Sequence, residues 1–252
     1  MSFDVGAEQY DRFMGRYSVP LAAEFADFAG IATGQRAIDV GCGSGALTRE
    51  LVERLGADRV SAVDPAQLFV AAIRERLPGV RVDLASAEAL PYMDSQFDVA
   101  VAQLVVHFMA EPLVGVREMA RVTSSGGVVA ACVWDHTGGR GPLSMFWDVA
   151  RELDRSVQGE ARRAGTREGD LGPLFEAVGL REIEESSLTV DVGHPSFDEW
   201  WEPFTLGVGP AGRHVAQLRS DDQARLREAC RARLPSAPFV ISALAWVARG
   251  RV

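Results

Sequence analysis

The run Ala37-Ile38-Asp39-Val40-Gly41-Cys42-Gly43-Ser44-Gly45 constrains this chain more than any other segment. A short apolar strand runs into three glycines at alternate positions, and Leu47, Leu51, Val52 and Leu55 then repeat with helical period. Glycine lacks a Cβ, so such a turn can be tight and can let the backbone approach a ligand, while the helix that follows presents free amide donors at its N-terminus. In an open parallel sheet the ligand crevice lies beyond the carboxyl ends of the strands, where the strand order reverses. The next carboxylate at a strand end, Asp64, is placed to accept hydrogen bonds from ribose hydroxyls. Turn and acid together point to an adenosine-bearing ligand. They do not separate methyl transfer from hydride transfer, because the dinucleotide fingerprint Gly-x-Gly-x-x-Gly tolerates alanine at its third glycine, and Ala46 stands there.

Strand and helix patterns continue to alternate. Strands are predicted over 60–64, 80–84, 97–102, 127–133, 181–192 and 238–248, and helices over 66–77, 112–122 and 143–154. Residues 3–30 read as two helices, with Phe3, Tyr10, Phe13, Met14 and Tyr17 on the first and Pro20 in the first turn of the second. Strands separated by helices imply parallel pairing through right-handed crossovers, hence a doubly wound α/β fold with a seven-stranded, mostly parallel sheet. A long connection at 193–236, rich in aromatic residues, precedes the last strand and is expected to fold as a lid.

Composition removes several chemistries. All 26 basic residues are arginine, and the chain has neither lysine nor asparagine. A lysine Schiff base, a P-loop lysine and the Asn-Pro-Pro-aromatic loop of enzymes that methylate base amino groups are therefore absent. The net charge of −9 disfavours nucleic acid, whose binding depends on a basic surface. Cys42, Cys132 and Cys230 are widely spaced, with no Cys/His pairing at metal-ligand spacing, so neither a disulfide framework nor a metal site is predicted. No apolar run is long enough to span a bilayer, and Met1-Ser2-Phe3-Asp4 is unlike a secretory signal; a cytoplasmic location with no membrane partner is expected.

The glycine segment resembles motif I of class I S-adenosylmethionine-dependent methyltransferases. Ala85-Ser86-Ala87-Glu88-Ala89-Leu90-Pro91, then Asp94, Phe97 and Asp98, then Leu104-Val105-Val106-His107-Phe108 and Arg117-Glu118-Met119-Ala120-Arg121-Val122, are similar to later motifs of the type 11 family. The resemblance covers residues 35–134. It implies S-adenosylmethionine as cofactor and S-adenosylhomocysteine as product, with Asp39 and the backbone of Gly41, Cys42 and Gly43 at the methionine part. Asp64, with Pro65 beside it, then meets the ribose, Ala87 and Glu88 the adenine edge, and Gln103 the methionine or reacting sulfur. Ser86 stands where family members often carry an aspartate for the adenine amino group. Tyr10 to Ser18 resembles an N-terminal cap of related bacterial enzymes, which implies Arg16 on the methionine carboxylate and Tyr10 or Tyr17 closing the site. On this reading the chain is one domain over 1–252: a helical cap (1–30), a cofactor-binding core (35–134), connecting helices (135–180) and the lid (193–236).

Methyl transfer needs the acceptor in line with the S–CH3 bond, and positioning alone can supply much of the rate. Where the acceptor carries a proton, the base candidates at strand ends are His107 and the pair Asp135-His136. His194 and His214 read as structural or surface residues. Trp147, Trp200, Trp201 and Phe204 could line an acceptor pocket or anchor the lid. The expected acceptor is a small molecule. A nicotinamide-dependent oxidoreductase and a non-catalytic S-adenosylmethionine-binding protein are the alternatives.

Overall fold

The computed structural model describes residues 7–161 and 163–252, so Phe3 lies outside the described residues. Seven strands form one sheet in the order β3-β2-β1-β4-β5-β7-β6: β1 (Ala37–Val40), β2 (Val60–Asp64), β3 (Arg81–Leu84), β4 (Phe97–Gln103), β5 (Thr123–Trp134), β6 (Arg181–His194) and β7 (Phe239–Arg251). Strands β1 to β5 pair in parallel, and β7 runs antiparallel to both β5 and β6. The strand order turns back between β1 and β4, which is the switch point expected beside the glycine turn.

The sheet is buried on both faces because its central strands are apolar at successive positions. In β4, Val99 and Val101 face one core while Ala100 and Ala102 face the other; in β5 the same alternation divides Ala130, Cys132 and Trp134 from Val129, Ala131 and Val133. The first core takes in Leu21 and Phe25 of α2 (Arg16–Ala29), Leu47 and Leu51 of α3 (Ala46–Leu55) and Ile73 of α4 (Gln67–Arg76). The second takes Val116 and Met119 of α5 (Pro112–Val122), with Leu171 and Phe175 of α7 (Leu171–Ala177). All three cysteines are buried free thiols. No helix among the described residues is long and apolar enough to cross a membrane.

Three features differ from the sequence expectations. The N-terminal segment is not two separate helices: α1 (Ala7–Tyr10), a π turn over Asp11–Gly15 and α2 follow without a break, and Pro20 lies inside α2 rather than in a first turn. Strand β5 begins at Thr123, four residues early, and the register against β4 shifts between Phe97 and Val99 near Gly126 and Gly127; glycines there read as a strand end when they mark an irregular pairing. The segment 193–236 folds as α8 (Phe197–Trp201), a 3-10 turn (Glu202–Leu206), α9 (Gly209–Gln217) and α10 (Ser220–Arg233). Its aromatic residues pack inward with those of α6 (Ser144–Leu153): Phe146 and Phe204 stack with centroids 4.5 Å apart, and Trp200 lies 4.8 Å from Phe204.

Candidate active site

The turn after β1 is built by backbone geometry that only glycine accepts without strain. Gly41 and Gly43 have φ of 75° and 52°. A Cβ on Gly41 would lie 2.5 Å from the Val105 methyls, whereas a Cβ on Gly43 would meet nothing within 4 Å. The first glycine therefore lets the β4 loop close in, and the second leaves space for a guest. The amides of Gly41 and Cys42 donate to the Val63 carbonyl at 2.8 and 2.9 Å, which ties the turn to β2.

Asp64 completes the turn. Its carboxylate accepts from the Gly43 amide at 2.9 Å and from the Ala66 amide at 2.8 Å. Burial raises its pKa, and these two amides act against the rise. Asp39, at the end of β1, accepts from the Thr48 hydroxyl at 2.7 Å through one oxygen, while the other is buried with no partner among the described residues. Burial, aided by Asp64 and opposed by Thr48, pushes the Asp39 carboxyl up to about 7. An orphan carboxylate oxygen beside an open glycine turn is a place made for a cationic donor.

A cavity of about 240 Å3 opens over this turn. Gly41, Gly43, Asp64, Pro65, Ala87, Glu88, Gln103 and Tyr10 all line it, with Ser86 among them. Asp39 and Cys42 line a smaller recess that shares Gly41, Gly43 and Gln103 with it. Glu88 is largely committed to the backbone: its carboxylate accepts from the Ala110 amide at 2.8 Å. Gln103 donates to the Ser18 carbonyl at 2.9 Å, and its own amide oxygen is buried without a partner among the described residues. Burial, with Asp64 and Glu160 next, raises the Tyr10 pKa and keeps its hydroxyl protonated.

Arg16 is not brought to this cavity. Its guanidinium sits 2.6 Å from Glu199 and 3.1 Å from His194 Nδ1, and the Tyr17 hydroxyl pairs with His194 Nε2 at 2.9 Å. A partly buried arginine is held where its nearest carboxylate lies, and here the fold places Glu199 of α8 beside it. His194 is accordingly a structural residue, and of the two tyrosines offered as closing groups Tyr10 alone lines the cavity.

A second, smaller cavity adjoins the first through Tyr10, Leu104 and Phe108. It is lined mostly by apolar side chains, with His107, His136 and Glu160 as its polar members and Val208, Gly209 and Pro210 from the segment before β7. His107 and His136 stand with ring centroids 5.5 Å apart, and burial lowers the pKa of both, so both are neutral near pH 7. Asp135 is turned elsewhere: it accepts from the Gly138 amide and from Arg140 Nε at 2.7 Å, holding its own loop. Trp134 lines this cavity, whereas Trp147, Trp200, Trp201 and Phe204 do not; those four pack into the core next to the segment that does.

Sequence reasoning gave three groups no site role. Phe69, which meets Tyr10 edge-on at 5.4 Å, reads only as a helix core residue. Glu160 lies in a polar stretch with no motif. Leu104, between the two cavities, has φ of 63°, a conformation that an L residue with a branched side chain rarely takes, and its amide is held by the Cys132 carbonyl at 2.9 Å. A dihedral angle leaves no mark in a sequence.

With this geometry in place, residues 38–131 match the type 11 methyltransferase-domain family. That segment resembles a methyltransferase domain of this family. The domain's similarity extends to an uncharacterised methyltransferase of Mycobacterium bovis, 36% identical over 135 residues, or 54% of this chain and 52% of the relative. It extends further to a malonyl-[acyl-carrier protein] O-methyltransferase of Halorhodospira halophila, 32% identical over 210 residues, or 81% of this chain and 64% of that protein. The chain thus spans about half the length of the first of these relatives. A phosphoethanolamine N-methyltransferase of Haemonchus contortus, solved with S-adenosylhomocysteine, superposes with a TM-score of 0.59 at 15% identity over 96% of this chain and 59% of that one, which shows a shared fold.

Proposed function

We propose that the chain transfers a methyl group from S-adenosylmethionine to a small molecule, with the cofactor over the Gly41–Gly43 turn and the acceptor in the adjoining cavity. The observation that carries this reading is the orphan oxygen of Asp39 beside the open face of Gly43: it calls for a cation, and the amino group of the cofactor's methionine supplies one. Asp64 then accepts from the ribose, Ala87 and Glu88 border the adenine, and the apolar wall around Leu104 excludes water from the transferring methyl. Here the acceptor meets His107 and His136. Catalysis rests mainly on holding its nucleophilic atom in line with the S–CH3 bond. Among the described residues, the segments 7–30 and 193–236 act as cap and lid of a single catalytic domain.

The testing experiment is calorimetric titration with S-adenosylhomocysteine and, separately, with NAD(H) and NADP(H). Binding of the first alone is expected. Asp64→Ala is expected to weaken it by about a hundredfold or more, as charge-assisted hydrogen bonds contribute roughly 1.5–3 kcal/mol each and the substitution also frees the Gly43 amide. Binding of a nicotinamide cofactor alone would overturn the reading.

A pH dependence follows from Asp39. In the free protein its carboxyl is raised to about 7, and a bound ammonium favours the ionised form. Below pH 7 binding must therefore release a proton, and S-adenosylhomocysteine affinity should rise with pH, by up to about tenfold per unit, and level off above 7. Asp39→Asn should flatten most of that slope. A wild-type profile already flat between pH 5.5 and 7 would place the ammonium elsewhere.

A further inference from the structure

His107, His136 and Glu160 come from three separate loops, after β4, after β5 and after α6. The fold gathers one donor atom from each into a group whose members all lie within 4.8 Å of one another. Zinc-class bonds to nitrogen and oxygen are about 2.0–2.2 Å long, so each donor would need to move inward by less than about 1 Å.

Two further observations set this group apart from a chance meeting of polar residues. His107 Nδ1 and His136 Nε2 are both buried and without a hydrogen-bond partner among the described residues, an arrangement that costs free energy unless a ligand meets them. The Glu160 carboxylate is buried too, and the Trp147 indole N–H, at 3.2 Å, is positioned to orient one of its oxygens, as outer residues do for metal ligands. Arg163, also nearby, lies over the Phe108 ring at 5.2 Å from its centroid.

We propose that His107, His136 and Glu160 bind one divalent transition-metal ion of the zinc class in the second cavity. Two imidazoles and one carboxylate suit zinc, iron(II) or cobalt(II) and disfavour magnesium or calcium, which prefer all-oxygen sets. Three protein ligands leave at least one coordination position toward the cavity. Resting on the methyltransferase reading, the acceptor is then a molecule whose nucleophilic oxygen or sulfur can ligate a metal, and His107 serves as a ligand instead of a base. The cysteine and histidine spacing in the sequence pointed to no metal site, because these donors share no local motif and meet only in the fold.

The test uses chelator-treated full-length protein, titrated calorimetrically with Zn2+ and, in parallel, with Co2+ followed by its visible absorption. One equivalent should bind at micromolar or tighter affinity, and cobalt should give the spectrum of a low-coordinate nitrogen and oxygen site. His136→Ala and the isosteric Glu160→Gln should each weaken zinc binding at least a hundredfold while leaving S-adenosylhomocysteine affinity within a few-fold, which also reports that the variants are folded. Sub-stoichiometric or millimolar binding, or zinc binding indifferent to Glu160→Gln, overturns the site. Because the two titrations are separate, zinc binding without S-adenosylhomocysteine binding would sink the methyltransferase reading and leave the metal site standing; the reverse result would do the opposite.

Discussion

Gly41→Ala is expected to destabilise the protein by about 2–5 kcal/mol and to abolish measurable cofactor binding. An alanine held at φ of 75° costs about 1–2 kcal/mol, and its Cβ, 2.5 Å from both Val105 methyls, adds an overpacking cost of about 1–3 kcal/mol. The β4 loop cannot retreat freely, since Leu104 is pinned to Cys132 in a strained conformation. Gly43→Ala supplies the comparison. It carries the backbone cost alone, because open space surrounds the added carbon, but that carbon enters the cavity proposed to hold the cofactor. Urea denaturation with S-adenosylhomocysteine titration separates the two: Gly41→Ala should lose stability and affinity together, and Gly43→Ala chiefly affinity. Equal loss of stability in both variants would mean that the close approach of Val105 carries no energetic weight.

Phe204→Ala is expected to cost about 3–5 kcal/mol, a fall of roughly 10 °C in Tm for a chain of this size. Phe204 is 2% exposed and lies between Phe146, Trp200, Trp201 and Phe13, so its removal leaves a void bordered by rings from α6, α8 and the N-terminal π turn. It does not line either cavity that the proposed reaction uses. At temperatures where the variant is folded, cofactor affinity should therefore stay within a few-fold of wild type. A variant with unchanged Tm but lost acceptor turnover would return the aromatic cluster to the role of an acceptor wall.

Much of the glycine turn and the first cavity was legible because their parts are local in sequence. Asp39, Gly41, Cys42 and Gly43 sit within five residues, and Asp64 with Pro65 ends the neighbouring strand; a strand that leads into a glycine turn allows few conformations, so the residue types nearly dictate the geometry. Tyr10 was found through its resemblance to a cap and does line the cavity. Arg16, proposed on the same grounds, was drawn to Glu199, a residue 183 positions later that no local pattern connects with it. Glu88 lines the cavity as expected, yet its carboxylate answers mainly to backbone amides of a loop more than twenty residues away.

The sequence by itself determined where the seven strands and the helices between the first five of them fall along the chain, the switch-point turn and the acid at the end of β2, since hydrophobic period and glycine placement act over a few residues. Only the tertiary structure decided that Trp200 and Phe204 anchor while Val208 to Pro210 line, that Leu104 is strained, and that His107, His136 and Glu160 share one cavity. Those outcomes depend on the closure of loops against one another across the ends of β4 and β5. Packing between distant segments selects them, and the energy that selects them belongs to pairs of residues that the sequence does not place side by side.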